Sequence, residues 1–263
     1  PMNLEGELVM TSYDILLSEK TKLVFVNHIS NALGTINPIE EIIEKAHRID
    51  AAVLIDGAQA APHMNIDFQE INCDFYATSG HKMYGPTGIG FLYGKSSLLE
   101  SMPPWRGGGE MIASVSFEEP TTFNVAPYKF EAGTPHISGA IAFASAIKWM
   151  ESVGVENIAS HELALTKYAH EELLKIEGLR IYGTAKHKAG VVSFLVEGVH
   201  PSDLATLLDQ LGIAVRTGHH CTEPLMNWFK ITGTVRASFA AYTTFEDIDS
   251  LVAALERAIK MLK

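Results

Sequence analysis

Residues 21–56, TKLVFVNHISNALGTINPIEEIIEKAHRIDAAVLID, contain the pattern that decides the architecture of the chain. The first ten of them are centred on the apolar run LVFV and are rich in β-branched side chains, which predicts a strand. Segment 37–50 has a proline in its first turn and apolar residues at helical spacing, which predicts a helix. A second apolar run at 51–56 ends in Asp56. Strand, helix and strand joined by short links are typical of a parallel sheet covered by helices, so we predict an α/β fold.

Further apolar runs predict two more strands of this sheet, at 73–79 and 88–94. The Pro/Gly-rich segment 102–112 predicts an irregular loop or a hairpin. The remaining elements are predicted as helices at 137–154, 155–176, 200–212 and 244–263, and as strands at 190–198, 213–218 and 235–242. In helix 200–212, Ser202 is the expected N-cap and Gly212 the expected stop.

The C-terminal elements alternate in the manner of a small α+β layer. We place a domain boundary near residues 148–152. Residues 1–150 are then expected to form a large domain, and residues 151–263 a smaller C-terminal domain.

Composition excludes several classes of function. The chain has 263 residues, of which 47% are hydrophobic, and a formal net charge of -11 with no Lys/Arg cluster, so neither nucleic acid nor an anionic membrane is an expected partner. No apolar run approaches the roughly 20 residues of a membrane span. Two cysteines do not make a disulfide framework, and no signal peptide is visible, so a cytoplasmic location is expected. No metal-ligand grouping stands out.

The segment ATSGHKMYGPTGIG, residues 77–90, places Lys82 between a histidine and a glycine-rich turn, just after a predicted strand. A lysine on an exposed loop is the ordinary explanation. The functional alternative is an amine that forms a Schiff base with an aldehyde cofactor. Pyridoxal phosphate (PLP) needs such a lysine, an acid near its pyridinium nitrogen and donors for its phosphate.

Asp56 is a candidate for that acid. It ends a predicted strand, and ligands of open α/β sheets bind at the carboxyl ends of the strands. Taken alone, Asp56 fits a turn with Gly57 equally well.

Taken together, five motifs resemble the cysteine desulfurases of the SufS type, which are class-V aminotransferase-like enzymes of PLP fold type I. They occur in the same order as in that family: DGAQ (56–59), SGHKMYGPTGIG (79–90), PPWRGGGEMI (103–112), FEAGTP (130–135) and RTGHHC (216–221). Each motif alone is weak, but five in order along the whole chain are specific. The resemblance implies a PLP-binding large domain, of which residues 1–150 are the C-terminal part, and a small domain that carries a catalytic cysteine.

The resemblance also implies the residues that bind the cofactor. Lys82 matches the Schiff-base lysine, and Asp56 matches the carboxylate at the pyridinium nitrogen. Gln59 matches the residue that donates to the phenolic oxygen of the cofactor, and Ser79 and His81 match phosphate ligands. Thr134 matches a threonine that reaches the phosphate of a neighbouring subunit in a homodimer.

On the substrate side, Cys221 matches the cysteine that takes the sulfur as a persulfide. Its polar setting favours this role, since Arg216 and the neighbouring imidazoles are expected to favour a thiolate. Cys73, in the apolar INCDFY, is instead expected to be a buried small hydrophobe. Arg236 matches the arginine that binds the substrate carboxylate, with Arg216 as a second candidate, and Asn31 matches a substrate-side asparagine.

The implied reaction converts L-cysteine to L-alanine and passes the sulfur to an acceptor protein of the SUF system for iron–sulfur cluster assembly. The short loop RTGHHCTEP resembles the group-II form of the family. The family's chain begins upstream of Pro1, with a ring-stacking histidine and a phosphate-binding helix N-terminus, so this chain is expected to be an N-terminally truncated piece. His136 also stands where the family usually has asparagine.

Three alternatives stay open. A selenocysteine lyase would act on L-selenocysteine, which is a close relative of L-cysteine. Other class-V PLP enzymes, such as epimerases or kynureninase-like hydrolases, would keep Lys82 and Asp56 without needing Cys221. A catalytically inactive fragment would act only as an interaction module.

Overall fold

The computed structural model describes all residues of the chain, Pro1–Lys263. Its helices are α1 (Met10–Leu16), α2 (Ile39–His47), α3 (Phe68–Ile71), α4 (Ser96–Ser101), α5 (Ile137–Val153), α6 (Val155–Leu173), α7 (Pro201–Gln210), α8 (Glu223–Phe229) and α9 (Phe245–Leu262). Its strands are β1 (Leu23–Asn27), β2 (Ala52–Asp56), β3 (Phe75–Ala77), β4 (Leu92–Gly94), β5 (Ile112–Ser114), β6 (Thr122–Phe123), β7 (Leu179–Tyr182), β8 (Val191–Val196), β9 (Arg216–Gly218) and β10 (Thr234–Ser238).

The first sheet has the order β1-β2-β3-β4, with β1, β2 and β3 parallel to one another. This confirms the α/β class predicted from residues 21–56. Strand β4 is shorter than the predicted 88–94 and runs antiparallel to β3. The connection between β3 and β4 contains a short 3₁₀ turn but no crossover helix of the kind that usually joins parallel strands.

The in-register pairing of the parallel strands aligns their carboxyl ends. Asn27 pairs with Asp56, and Asp56 pairs with Ala77. The residues that come after β1, β2 and β3 therefore emerge at one edge of the sheet, which is where ligands bind in open α/β sheets.

Helix α2 covers this sheet with the apolar face that the sequence pattern predicts. Its buried residues are Ile39, Ile42, Ile43 and Ala46, and three of them belong to one core cluster with Val53, Ile55, Cys73 and Tyr76. The prediction of Cys73 as a small buried hydrophobe is confirmed, and burial raises the pKa of its thiol to about 11.

The second sheet is antiparallel and has the order β7-β8-β10-β9. Helices α6, α7 and α9 pack on it and share a core that includes Leu165, Phe194, Leu204 and Leu255, each at most 1% exposed. Full burial of such side chains contributes about 1.5–3 kcal/mol each. The sequence did not predict β7, whose segment LRIY lies between two glycines and is only four residues long.

The segment after β1 joins the two sheets. The backbone N–H of Ala189 donates to the carbonyl of Gly34 at 2.9 Å, and the hydroxyl of Ser193 donates to the carbonyl of Ala32 at 2.5 Å. Gly34 has a φ of +75°, and a Cβ there would lie 2.9 Å from the Ala189 carbonyl oxygen. Glycine is therefore required at this close approach.

The structure tests both expected ends of the helix predicted at 200–212. Helix α7 is capped by His200, whose ring nitrogen accepts from the N–H of Ser202, so the prediction of Ser202 as the cap is wrong. The expected stop at Gly212 is confirmed by its φ of +82° just after the C-cap. The boundary region 148–152 lies inside α5, and the chain turns only at Gly154; the division into two domains stays a prediction.

The Pro/Gly-rich segment is irregular up to Met111 and then enters a small hairpin of β5 and β6. None of the helices has the length and apolar character needed to cross a membrane.

Asp74, just before β3, joins three parts of the first sheet. Its carboxylate lies 2.8 Å from His47 Nε2, 2.9 Å from Lys95 Nζ and 2.7 Å from the N–H of Val53. Burial alone would raise the pKa of this carboxyl, but these partners outweigh burial and the pKa is lowered.

We expect Asp74→Asn to lower the free energy of unfolding by about 1.5–3 kcal/mol at pH 7, because a buried charged acceptor is lost. Since the folded pKa lies below the unfolded value of 3.8, the stabilisation is present above that value and disappears as pH falls through the folded pKa. Urea unfolding at several pH values measures this, with exposed Asp209→Asn as the matched control. Equal losses in both variants would contradict the assignment.

Candidate active site

A cavity of about 600 Å³ lies between the carboxyl edge of the first sheet and the second sheet. Eight of the residues singled out from the sequence line it: Asn31, Asp56, Gln59, His81, Lys82, Arg216, Cys221 and Arg236. Ser79 and Thr134 do not line this cavity. Ser79 is half-buried before the turn that carries Lys82, whereas Thr134 is exposed.

Asp56 reaches the cavity because β2 ends there. Its Oδ1 accepts from the N–H of Ala58 at 3.0 Å, and a helical turn that begins at Gly57 brings Gln59 into the wall. Gly57 packs against the ring of Tyr76, and a Cβ would lie 1.8 Å from Tyr76 Cε1. The glycine of the DGAQ motif is therefore required by packing, and it keeps Asp56 at the strand end.

Lys82 lies in a short 3₁₀ turn, Gly80–Lys82, directly after β3. The N–H of Gly80 donates to the carbonyl of Ile89 at 2.8 Å, which closes the loop back on itself. A Cβ on Gly90 would lie 2.3 Å from the Thr78 carbonyl oxygen, so the returning chain needs glycine at this position. The glycines thus fold the loop tightly beneath Lys82, whose half-buried side chain lines the cavity.

Cys221 lies in the loop between β9 and α8. Both His220 (φ +53°) and Cys221 (φ +63°) adopt the left-handed conformation, which is uncommon outside glycine. The hydroxyl of Thr222 donates to the carbonyl of His219 at 2.7 Å and closes the turn. The exposed Cys221 Sγ lies 3.8 Å from Nη2 of Arg216, a position from which the guanidinium attracts a thiolate.

The side chain of His220 connects this loop to Thr234 of β10. Its ring is buried, with Nε2 at 2.9 Å from Thr234 Oγ1 and 3.2 Å from the Thr234 carbonyl oxygen, and Nδ1 has no partner. Burial and then the nearby Arg236 lower the pKa of His220 to about 4. The imidazole is therefore neutral at pH 7 and brings no positive charge to the Cys221 loop. The effect of the neighbouring residues on the Cys221 thiolate stays a prediction.

Arg236 and Asn31 connect the strands of the second sheet to the cysteine loop. Arg236 pairs with Arg216 across β10 and β9, and its Nη1 donates to the Asn31 carbonyl at 2.8 Å. The side-chain amide of Asn31 donates to the His220 carbonyl at 2.6 Å. Arg236 lines the cavity, and its Nε is buried without a hydrogen-bond partner.

Sequence reasoning missed His63, which also lines the cavity. Its Nδ1 lies 2.5 Å from Oε2 of Glu162, a carboxylate that is buried on α6. His63 could have been found from its place four residues after Gln59, beyond the same strand end. Glu162 carries no such signal, because an acid in an amphipathic helix ordinarily faces solvent.

The profile of the aminotransferase class-V family matches residues 1–251. With the sheet edge, the lysine turn and the cysteine loop meeting at one cavity, the chain belongs to the class-V aminotransferase family.

Relatives of this chain within the family are named cysteine desulfurases. A probable cysteine desulfurase of Halalkalibacterium halodurans is 52% identical over 98% of this chain, and the matched region is 63% of that relative. The chain thus spans less than two thirds of its length.

Two solved structures share the fold. The crystal structure of the cysteine desulfurase CsdA from Escherichia coli superposes with a TM-score of 0.95 at 40% identity, and the match covers all of this chain and 65% of that one. A lysine-to-alanine mutant of C-DES with glycine covalently linked to its PLP cofactor superposes with a TM-score of 0.83 at 25% identity, over 96% of this chain and 65% of that one.

We expect the buried neutral His220 to make stability depend on pH. Its folded pKa of about 4 lies below the unfolded value of 6.5, so between these values the unfolded chain binds a proton that the folded chain does not. Stability therefore falls as pH drops through this window, by up to about 3 kcal/mol for one such histidine.

His220→Gln should make the plot of unfolding free energy against pH shallower between pH 6.5 and about 4. Urea titrations measure the slope, and the exposed His187→Gln serves as the control. An unchanged slope in His220→Gln would show that this imidazole already binds its proton in the folded protein.

Proposed function

We propose that the chain is part of a PLP-dependent cysteine desulfurase of the SufS type, group II. The observation that carries the proposal is that one cavity contains both Lys82 with Asp56, from the first sheet, and Cys221 with Arg236, from the second. Lysine and aspartate alone would fit many PLP enzymes, whereas a cysteine on a strained loop beside two arginines suits a sulfur-transfer reaction.

The residues present fit PLP by their chemistry. Lys82 would hold the cofactor aldehyde, the Asp56 carboxylate would hold the pyridine nitrogen in its protonated form, and Gln59 would donate to the phenolic oxygen. Ser79 and His81, close to Lys82 in the chain, are the proposed phosphate ligands. When bound, PLP supplies a sink for the electron pair released at the substrate α-carbon.

The substrate end of the cavity suits a small amino acid. Arg236 lines the cavity beside Arg216 and Asn31, and with them would bind the carboxylate of L-cysteine. L-selenocysteine has the same carboxylate and amine and is the alternative substrate. The substrate amine would first displace Lys82 from the cofactor aldehyde, and the freed Lys82 amine would then take the α-proton.

Cys221 would perform the sulfur transfer. Its thiolate attacks the substrate sulfur, the electron pair of the carbon–sulfur bond stays on the substrate carbon, and that carbon takes up a proton. Cys221 keeps the sulfur as a persulfide and L-alanine leaves. The exposed position of Cys221 supports delivery of the sulfur to an acceptor protein of the SUF system, in the cytoplasm, for iron–sulfur cluster assembly.

A homodimer belongs to the proposal because of Thr134. This residue is exposed and lies outside the cavity of its own chain, which suits a threonine that reaches the phosphate of a neighbouring subunit.

We expect Cys221→Ala to abolish formation of alanine from L-cysteine while the visible absorbance of bound PLP persists, because only the sulfur acceptor is removed. Cys73→Ala is the matched control: that thiol is buried in the first core, so its loss should leave turnover in place. Alanine assay and mass spectrometry of the Cys221 peptide for a persulfide measure the result. Undiminished turnover in Cys221→Ala would refute the persulfide role.

A further inference from the structure

Glu162 is a charged residue in the interior, with 2% of its surface exposed, on helix α6. A buried carboxylate is stable only when its oxygens are hydrogen-bonded. Here Oε2 accepts from His63 Nδ1 at 2.5 Å, and Oε1 accepts from the hydroxyl of Tyr84 at 3.4 Å. The contact with Oε2 orients the His63 ring, and the second oxygen orients the Tyr84 hydroxyl.

Tyr84 extends the network to the second sheet. Its hydroxyl oxygen accepts from the N–H of Ala241 at 3.0 Å while its proton points to Glu162. Burial raises the pKa of Tyr84 to about 12, so the phenol keeps that proton at neutral pH. Tyr84 also has a φ of +58°, a conformation that side chains with a Cβ adopt only when other contacts hold it.

Two segments contact this carboxylate directly and a third is connected to it through Tyr84, and all three also carry residues of the cavity. His63 lies four residues after Gln59, Tyr84 lies two residues after Lys82, and Ala241 lies five residues after Arg236. Each of these contacts spans long stretches of sequence, with a separation of 99 residues between Glu162 and His63 and of 78 between Glu162 and Tyr84.

We propose that Glu162 is a positioning residue that sets the placement of the Gln59 and Lys82 segments against the Arg236 segment. The expected effect of Glu162 on catalysis rests on the proposed function, but its effect on the positions of the three segments concerns only residues of this chain. Glutamine has the size of glutamate yet presents one acceptor oxygen, so it cannot accept from His63 and Tyr84 with two oxygens.

In Glu162→Gln, we expect amide hydrogen exchange to speed up in segments 57–64, 80–85 and 239–243 and to stay unchanged in β8 and α9, measured without PLP or cysteine. We expect the Kd for PLP to rise roughly tenfold, as for the loss of a hydrogen bond to a charged group. The kcat for cysteine should fall by roughly 10–100-fold, because small displacements of reacting groups are costly.

The matched control is Glu171→Gln, which removes an exposed carboxylate from the same helix and should change none of these values. If Glu162→Gln does not fold, His63→Gln and Tyr84→Phe each remove one arm of the network. Each should raise the Kd for PLP, and the double variant should raise it by less than the product of the two single effects, because both act through one carboxylate.

Exchange rates unchanged in the three segments, or a uniform loss of protection over the whole chain, would overturn the positioning role. So would single variants that lower the melting temperature and leave the Kd for PLP unchanged. If exchange in Glu162→Gln is faster only in the three segments, but the chain without the substitution does not convert cysteine, this inference stays in place and the proposed function is overturned.

Discussion

The in-register parallel pairing of β1, β2 and β3 is the constraint on which the rest of the structure depends. Since Asn27, Asp56 and Ala77 lie side by side, the segments that leave these strands must emerge at the same edge. That edge therefore brings together Asn31 after β1, the carboxylate of Asp56 itself, and the turn with Lys82 after β3. A shift of one residue in this pairing would turn alternate side chains to the opposite face and separate these groups.

The second sheet completes the cavity through a small number of polar contacts. Asn31 accepts from Arg236 and donates to the carbonyl of His220, so one residue of the first sheet's edge contacts both a strand and the cysteine loop of the second. The left-handed conformations of His220 and Cys221 cost energy that the buried bond of His220 to Thr234 offsets. Cys221 is therefore exposed on a loop that the contact between His220 and Thr234 anchors to β10.

Much of this could be predicted from sequence because the signals are local. The helical spacing of Ile39, Ile42, Ile43 and Ala46 and the apolar runs around it define the first sheet, and a strand end marks both Asp56 and Lys82. The rest depends on contacts between distant residues. His220 looks like a polar neighbour of Cys221 in sequence, yet its ring is buried against Thr234. Glu162 looks like a surface acid, yet it is buried against His63 and Tyr84. His200 takes the cap expected of Ser202 because Pro201 occupies the first helical position.

The central claim is that the edge holding Lys82 binds a PLP cofactor through that lysine. Reduction of the PLP-treated chain with borohydride, followed by peptide mapping by mass spectrometry, tests this directly. The account predicts one modified peptide, containing Lys82, at near-stoichiometric yield. A label spread over the exposed lysines, or located on a residue outside the cavity, would contradict it.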